Sequence, residues 1–324
     1  MNTKHVFLCF VLAAALTAGA AAGRPSEDFK LVEDLTIGGP DKDELFLWTA
    51  VSVDADGNIY FADALDCSVK KFDPAGRFLK KAGRKGRGPG EFEKAVGVAV
   101  AGETVYAWDV YGRTVQVFDR ELVFQRTLTM PGTVGAFDVF PDGRLAVAVR
   151  ASIGLPAIFI LSPDGTKSRV ISLADPKDPS RIDTVGLVAD PAGGFTLGYL
   201  FSDRIERRTE NGDLIWTKTP IGGRPVEPEN VQGLRVPSQT CVLSLARDVR
   251  GRIYVLGGNK AVHPGRDVFI FSPDGIIVGA FCLPEPSHSV YFDRQDRLYV
   301  SADGGVTMKR YRLVPRSAER ASVR

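Results

Sequence analysis

The stretch ADGNIYFAD, Ala55 to Asp63, decides how the rest of the chain is read, because it returns five more times. AGETVYAWD begins at Ala101, PDGRLAVAV at Pro141, PAGGFTLGY at Pro191, VRGRIYVLG at Val249 and RQDRLYVSAD at Arg294. The first apolar residue after each turn is Ile59, Val105, Leu145, Phe195, Ile253 and Leu298, a spacing of 40 to 58 residues. A repeat of that length is one supersecondary unit that cannot bury its apolar face alone and must stack on its neighbours. Propeller blades of four strands recur at about 40–45 residues.

The same grammar extends outward in every copy. An apolar strand comes first, for example AVSV from Ala50, VGVAV from Val96 or VLSLA from Val242. A tight turn leads to the quoted second strand, a loop follows, and then a third strand such as SVKKF from Ser68 or DVFIF from Asp267. Another turn, DPAG at Asp73 or SPDG at Ser162 and Ser272, precedes a fourth strand such as RFLKKAG or LIWTKT. Turn signals between short β-rich runs specify antiparallel hairpins. No helical period competes. The fold class is therefore all-β: a six-bladed β-propeller of four-stranded antiparallel blades. The sixth unit ends near Val314 after three strands, while DFKLVEDLTIGG from Asp28 precedes the first complete blade. The N-terminal segment is expected to supply the missing outer strand and close the ring, which covers an unpaired edge.

The chain has 324 residues, 44% of them hydrophobic and 25% charged, an ordinary globular balance. Its formal net charge is +2, so no long-range field favours polyanions, and nucleic acid is not an expected partner. The start, MNTKHVFLCFVLAAALTAGAAAG, places Lys4 before an apolar run from Val6 to Leu16 and then Ala18, Ala20 and Ala22. That order reads as a cleaved secretory signal peptide over residues 1–22, with the mature protein periplasmic or secreted. The apolar run is shorter than the ~20 residues that span a bilayer. The propeller is expected over 28–315 and a basic, disordered tail over 316–324. Cys67, Cys241 and Cys282 remain after cleavage, an odd number that cannot complete a disulfide framework.

The run from VDADGNIYFAD through KKFDPAGRFLKKAG to GRGPGEFEKAVGVAV resembles a unit of the NHL-repeat propellers with its linker. The resemblance covers nearly all of the mature chain and is strongest in the first two blades. Blades three and four depart from it, since GRLAVAVR and GGFTLGYL lack the Ala-Asp ending. It implies that GRKGRGPGEF, Gly83 to Phe92, joins the outer strand of one blade to the inner strand of the next. Four glycines and three cationic side chains in that segment invite a phosphate-loop reading. No helix follows, so the segment lacks the row of free N–H groups such a loop needs.

In a propeller of this type, ligands dock at the mouth of the central channel, where the blade-to-blade connections and the loops after the second strands meet. Candidate ligand-binding residues there are Asp63, Asp109, Tyr111, Arg113, Arg150, Arg224, His263, His288 and Asp303. Two carboxylates ~8 Å apart at an effective dielectric of ~20 would repel by roughly 2 kcal/mol. Backbone donors, cations such as Lys70 or Arg113, or a bound metal must relieve them. If a metal is present, Asp63, Asp109 and Asp303 are its ligands. With only His263 and His288 left in the mature chain, a His-based zinc site is not expected. No catalytic motif appears, and no cofactor is expected beyond that optional divalent cation. Trp48 and Phe92, which precede inner strands, read as wedges between blades. Long loops begin at Arg150, Ile221 and Gly257, and the second carries Arg224, Glu227, Glu229, Asn230, Gln232 and Arg235. The sequence thus supports an exported, monomeric binding module for a protein, peptide or glycan. The alternative is a metal-dependent hydrolase or lyase.

Overall fold

Runs of β-branched and aromatic residues, cut by Gly- and Asp-bearing turns, fold here as short antiparallel strands. The computed structural model describes residues 29–42, 44–109, 111, 113–150, 157–173, 183, 185–221, 228–231, 234–237, 240–257 and 265–316. Residues 1–28, which include the expected signal peptide, and residues 317–324 of the expected tail lie outside that set.

Six four-stranded antiparallel sheets form the six blades of a β-propeller. Their inner strands are Trp48–Val53, Ala95–Ala101, Thr133–Val139, Val185–Ala189, Val242–Arg247 and Val290–Phe292. In the first five blades the strands follow one another outward in chain order. In the sixth, the outermost strand is the N-terminal Phe29–Gly38, paired antiparallel with Thr307–Pro315 from Phe29↔Pro315 to Gly38↔Thr307. The expected ring closure is therefore present. A bulge leaves Asp34 without a ladder partner, and its carboxylate accepts from Arg310 Nε at 2.6 Å. Arg310 Nη1 also donates to the Pro74 carbonyl at 3.2 Å, tying the composite blade to blade 1.

Apolar clusters fill the seams between blades. Ile37 of the N-terminal strand meets Val51, Phe61 and Phe72 of blade 1. Tyr60 and Val69 of blade 1 meet Phe92, Val98 and Phe118. Phe92 is fully buried, as a wedge should be; the Trp48 side chain lies outside the described atoms. Trp108 lies over Gly97 so closely that a Cβ there would meet its ring at 1.8 Å, and it stacks on Phe137 of blade 3 at 5.0 Å.

The inner edge of each innermost strand faces the channel with no further strand to pair it, so its backbone groups need other partners. Side chains of adjacent blades supply several. Thr49 donates to the Val96 carbonyl at 3.0 Å, and Ser52 Oγ accepts the Val100 N–H at 3.0 Å. Asp138 accepts the Ala189 N–H at 2.7 Å, and Tyr291 Oη accepts the Val53 N–H at 3.2 Å. Ser244 Oγ accepts the Val290 N–H at 3.2 Å and donates to the Val290 carbonyl at 3.3 Å.

On the face opposite the mouth, the first turn of three blades is locked by one repeated device. Asp54, Asp248 and Asp293 each accept the N–H groups two and four residues on. Their other oxygen accepts from Asn58, Arg252 or Arg297, and from the Tyr60, Tyr254 or Tyr299 hydroxyl. Burial, together with the neighbouring aspartate, pushes all three phenols upward.

The segment GRKGRGPGEF is the connection between blades 1 and 2. Gly83 has φ +95°, and a Cβ there would meet the Phe92 ring at 2.8 Å, so glycine permits the sharp crossing. Glu91 staples the loop by accepting the Gly88 N–H at 2.9 Å and Arg84 Nε at 2.7 Å. Arg87 pairs with Glu93 at 2.7 Å. Two of the three cations are thereby neutralised within the loop itself. The Gly88 N–H, followed by Arg84, holds the Glu91 carboxyl below its ordinary 4.5. A depressed folded value means that the loop's stabilisation is complete above pH ~4.5 and is lost as pH falls through the folded value. Glu91→Gln should therefore lower the melting temperature at pH 7, with the gap from wild type closing once the wild-type carboxyl is protonated. Thermal melts from pH 7 to pH 3 check this, and a gap that persists at pH 3 refutes it.

Candidate functional site at the channel mouth

Asp63 and Asp109 each end the second strand of a blade, Ile59–Asp63 and Thr104–Asp109, opposite the first residue of the inner strand. This position points the carboxylate at the connection arriving from the preceding blade. Asp63 Oδ2 accepts the Phe46 N–H at 2.9 Å, and Oδ1 accepts those of Leu47 at 3.1 Å and Asp66 at 3.2 Å. Lys70 Nζ completes the set at 2.9 Å from Asp63 Oδ2 and also donates to the Glu44 carbonyl at 2.9 Å. It lies 4.5 Å from the Phe46 ring centroid. Both charged side chains are almost fully buried, 4% exposed for Lys70 and 0% for Asp63. Asp109 repeats the pattern by accepting the N–H groups of Glu93, of Lys94 at 3.0 Å and of Tyr111 at 2.7 Å.

Asp303 does not join them. It begins the 3-10 turn Asp303–Gly305, is exposed, has φ 49°, and accepts the Thr307 hydroxyl at 2.6 Å. The corresponding task in blade 6 falls to Ser301, whose buried Oγ accepts the His288 N–H at 2.9 Å and the Ser289 N–H at 3.2 Å. Sequence reading missed Ser301. The offset from each repeat's apolar marker shows only that Asp303 is out of register: Asp63 and Asp109 stand four residues after Ile59 and Val105, Asp303 stands five after Leu298, and Ser301 stands three after it, where no repeat signal points.

His288 sits in the connection into blade 6, and desolvation lowers its imidazole below the ordinary value. Arg113 is exposed at positive φ at the start of blade 2's third strand, Thr114–Asp119. Arg150 ends the second strand of blade 3, with its side chain outside the described atoms; Arg224 and His263 lie outside the described residues. The long segment after Ile221 carries a separate two-stranded hairpin, Pro228–Val231 with Leu234–Pro237, which the sequence reading left as loop. Among the described residues, no three His, Cys, Asp or Glu side chains converge as metal ligands.

Beside these polar groups the mouth presents three large apolar or aromatic side chains. Phe46, Leu65 and Tyr111 are 41%, 67% and 65% exposed. Phe46 donates its N–H to Asp63, Leu65 follows Asp63 by two residues, and Tyr111 donates its N–H to Asp109. The two carboxylates thus fix the backbone beneath three large exposed side chains. Cys67 Sγ, 3.3 Å from the Glu93 carbonyl, links the Leu65 loop to the connection that Asp109 holds.

Among solved structures, the chain is similar to virginiamycin B lyase from Staphylococcus aureus, with 13% identity over 89% of this chain and 88% of that one, and a TM-score of 0.57. It is similar to the β-propeller domain of Cps50 (Swd1) from Myceliophteria thermophila, with 12% identity over 87% and 99% and a TM-score of 0.55. The WD40 β-propeller domain of Doa1 aligns with 13% identity over 88% and 97% and a TM-score of 0.53. No family model matches the chain, and no curated protein matches it. The chain is a six-bladed β-propeller with WD40 and virginiamycin B lyase propellers as its structural neighbours.

Proposed function

We propose that this is an exported, NHL-like propeller that binds a protein, peptide or glycan through the mouth of blades 1 and 2. The observation that carries this reading is the exposure of Phe46, Leu65 and Tyr111 on loops held by buried Asp63 and Asp109. Rigid loops that present large side chains pay little ordering entropy on association, and tyrosine is enriched among the residues that dominate interface energies. The signal-like leader supports export.

A photo-cross-linking side chain at Leu65 should capture a discrete partner. The same group at Leu214, 51% exposed on the outer strand of blade 4, should not. Leu65→Glu combined with Tyr111→Ala should weaken binding of that partner at least ~10-fold, since each is asked to supply about 1 kcal/mol or more. Equal capture from both positions overturns the reading. The hydrolase or lyase alternative needs a cation at the mouth, yet Asp63 and Asp109 already serve backbone N–H groups there. Stoichiometric divalent metal in the purified protein, lost on Asp109→Ala, would favour that alternative.

A further inference from the structure

One cation of the connection between blades 1 and 2 is left over when the loop's own ion pairs are made. Arg84 is paired with Glu91 and Arg87 with Glu93, whereas the exposed Lys85 side chain has no hydrogen-bond or ion-pair partner among the described residues. Two neighbours share that condition. Lys94, which ends the same connection, is half-buried, and Arg113, just before blade 2's third strand, is exposed; neither side chain has a partner among the described residues.

The three belong to one locality. Asp109 accepts the Lys94 N–H at 3.0 Å and the Tyr111 N–H at 2.7 Å, so both backbones meet at a single carboxylate, and Arg113 follows Tyr111 by two positions. Lys85 lies across the same connection, bridged to Phe92. Burial raises the Cys67 thiol and the nearby Lys85 charge opposes that rise, while Cys67 Sγ is 3.3 Å from the carbonyl of Glu93, the residue before Lys94.

The carboxylates around these cations are already engaged. Glu91 and Glu93 hold Arg84 and Arg87, Asp63 and Asp66 hold Lys70 and Lys81, and Asp109 holds backbone N–H groups. Within 83–94, the cations Arg84, Lys85, Arg87 and Lys94 face only Glu91 and Glu93, and that local excess equals the formal +2 of the whole chain. The rest of the sequence is therefore balanced, and the asymmetry is concentrated at the mouth.

Unpaired cations beside exposed apolar side chains favour a partner of opposite sign, by steering its approach and by pairing at the rim. We propose that the partner at the mouth is an acidic peptide segment, with its Asp or Glu side chains on Lys85, Lys94 and Arg113 and its apolar side chains on Leu65 and Tyr111. The proposal rests on the binding reading above and narrows it to one class. A neutral glycan could stack on Tyr111 but would leave all three charges unanswered.

Random peptides displayed on phage and selected on the purified protein test this. The selected set should carry more Asp and Glu than Lys and Arg. A synthetic copy of the most enriched sequence should bind at least ~10-fold more weakly to the protein carrying Lys85→Glu and Arg113→Glu, two exposed positions whose reversal should leave the melting temperature unchanged. Binding should also weaken as salt is raised, since exposed charges are screened. Selection of neutral or basic peptides that still need Tyr111 overturns the proposal while leaving the mouth as a binding face. Failure to select any peptide, equal affinity for the wild-type and charge-reversed proteins, or binding to arrayed glycans in place of peptides also overturns it. Capture at Leu65 decides separately whether the mouth binds a partner at all.

Discussion

Deleting Phe29 to Gly38 should lower the melting temperature by about 10 °C or more, because the deletion removes the outer strand of the last blade rather than a free terminus. Ile37 is 2% exposed in the seam with blade 1, and Phe29 and Leu31 pack on the cluster between blades 5 and 6. Full burial of such a side chain is worth about 1.5–3 kcal/mol, so one buried and several half-buried residues together supply about 5 kcal/mol. A protein of this size loses about 2 °C per kcal/mol. The deletion also exposes the Thr307–Pro315 edge and leaves Arg310, 7% exposed, without Asp34. Adding the ten-residue peptide back in excess should recover part of the loss through mass action. A melting curve unchanged by the deletion would refute the closure.

Asp63→Ala should cost about 3–5 kcal/mol, the usual result of removing one partner from a buried ion pair. The variant leaves the Lys70 ammonium beneath Phe46 with only the longer 3.4 Å contact to Asp66 and the Glu44 carbonyl, and leaves the N–H groups of Phe46, Leu47 and Asp66 without their acceptor. Roughly 6–10 °C of melting temperature should be lost. Lys70→Met added to Asp63→Ala should restore part of it, since the double variant buries no lone charge. Chemical denaturation of the two single variants and the double variant yields the coupling energy, and strictly additive costs would show that Asp63 and Lys70 act separately. The exposed Lys81–Asp66 contact offers a contrast, because a pair reached by water is worth ~1 kcal/mol at most.

The blades were legible because each must present apolar strands at a fixed interval, and the marker residues from Ile59 to Leu298 carry that interval in the open. The closing strand was legible by subtraction, since the last unit stops at three strands. The mouth was legible only in part. Asp63 and Asp109 could be placed at strand ends, but their preceding-blade partners, Phe46, Leu47, Glu93 and Lys94, are backbone donors, and any residue other than proline supplies one. Asp303 shares the Ala-Asp ending of Asp63, but one extra residue before it moves its carboxylate off the strand. The opposite face carried a pattern that was present and unread: Asp54, Asn58 and Tyr60 recur as Asp248, Arg252 and Tyr254 and again as Asp293, Arg297 and Tyr299. The contacts that hold Ala189 had no sequence signal, because Asp138, which accepts its N–H, and Arg247, whose Nε donates to its carbonyl at 3.1 Å, belong to blades 3 and 5 and meet it only when the blades pack together.

The bulged Asp34 and its partner Arg310 are separated by 276 residues. The strand synthesised first must therefore wait for the strand synthesised last. Loop-closure entropy rises only slowly with length, by about 0.6 kcal/mol per doubling, so the thermodynamic penalty of this arrangement is modest. Its cost falls on time, because distant pairings are reached slowly. During that interval the open sixth blade offers the same edge to the N-terminal strand of any other copy, and at high concentration two chains that exchange this strand would yield an intertwined pair with the same ladder.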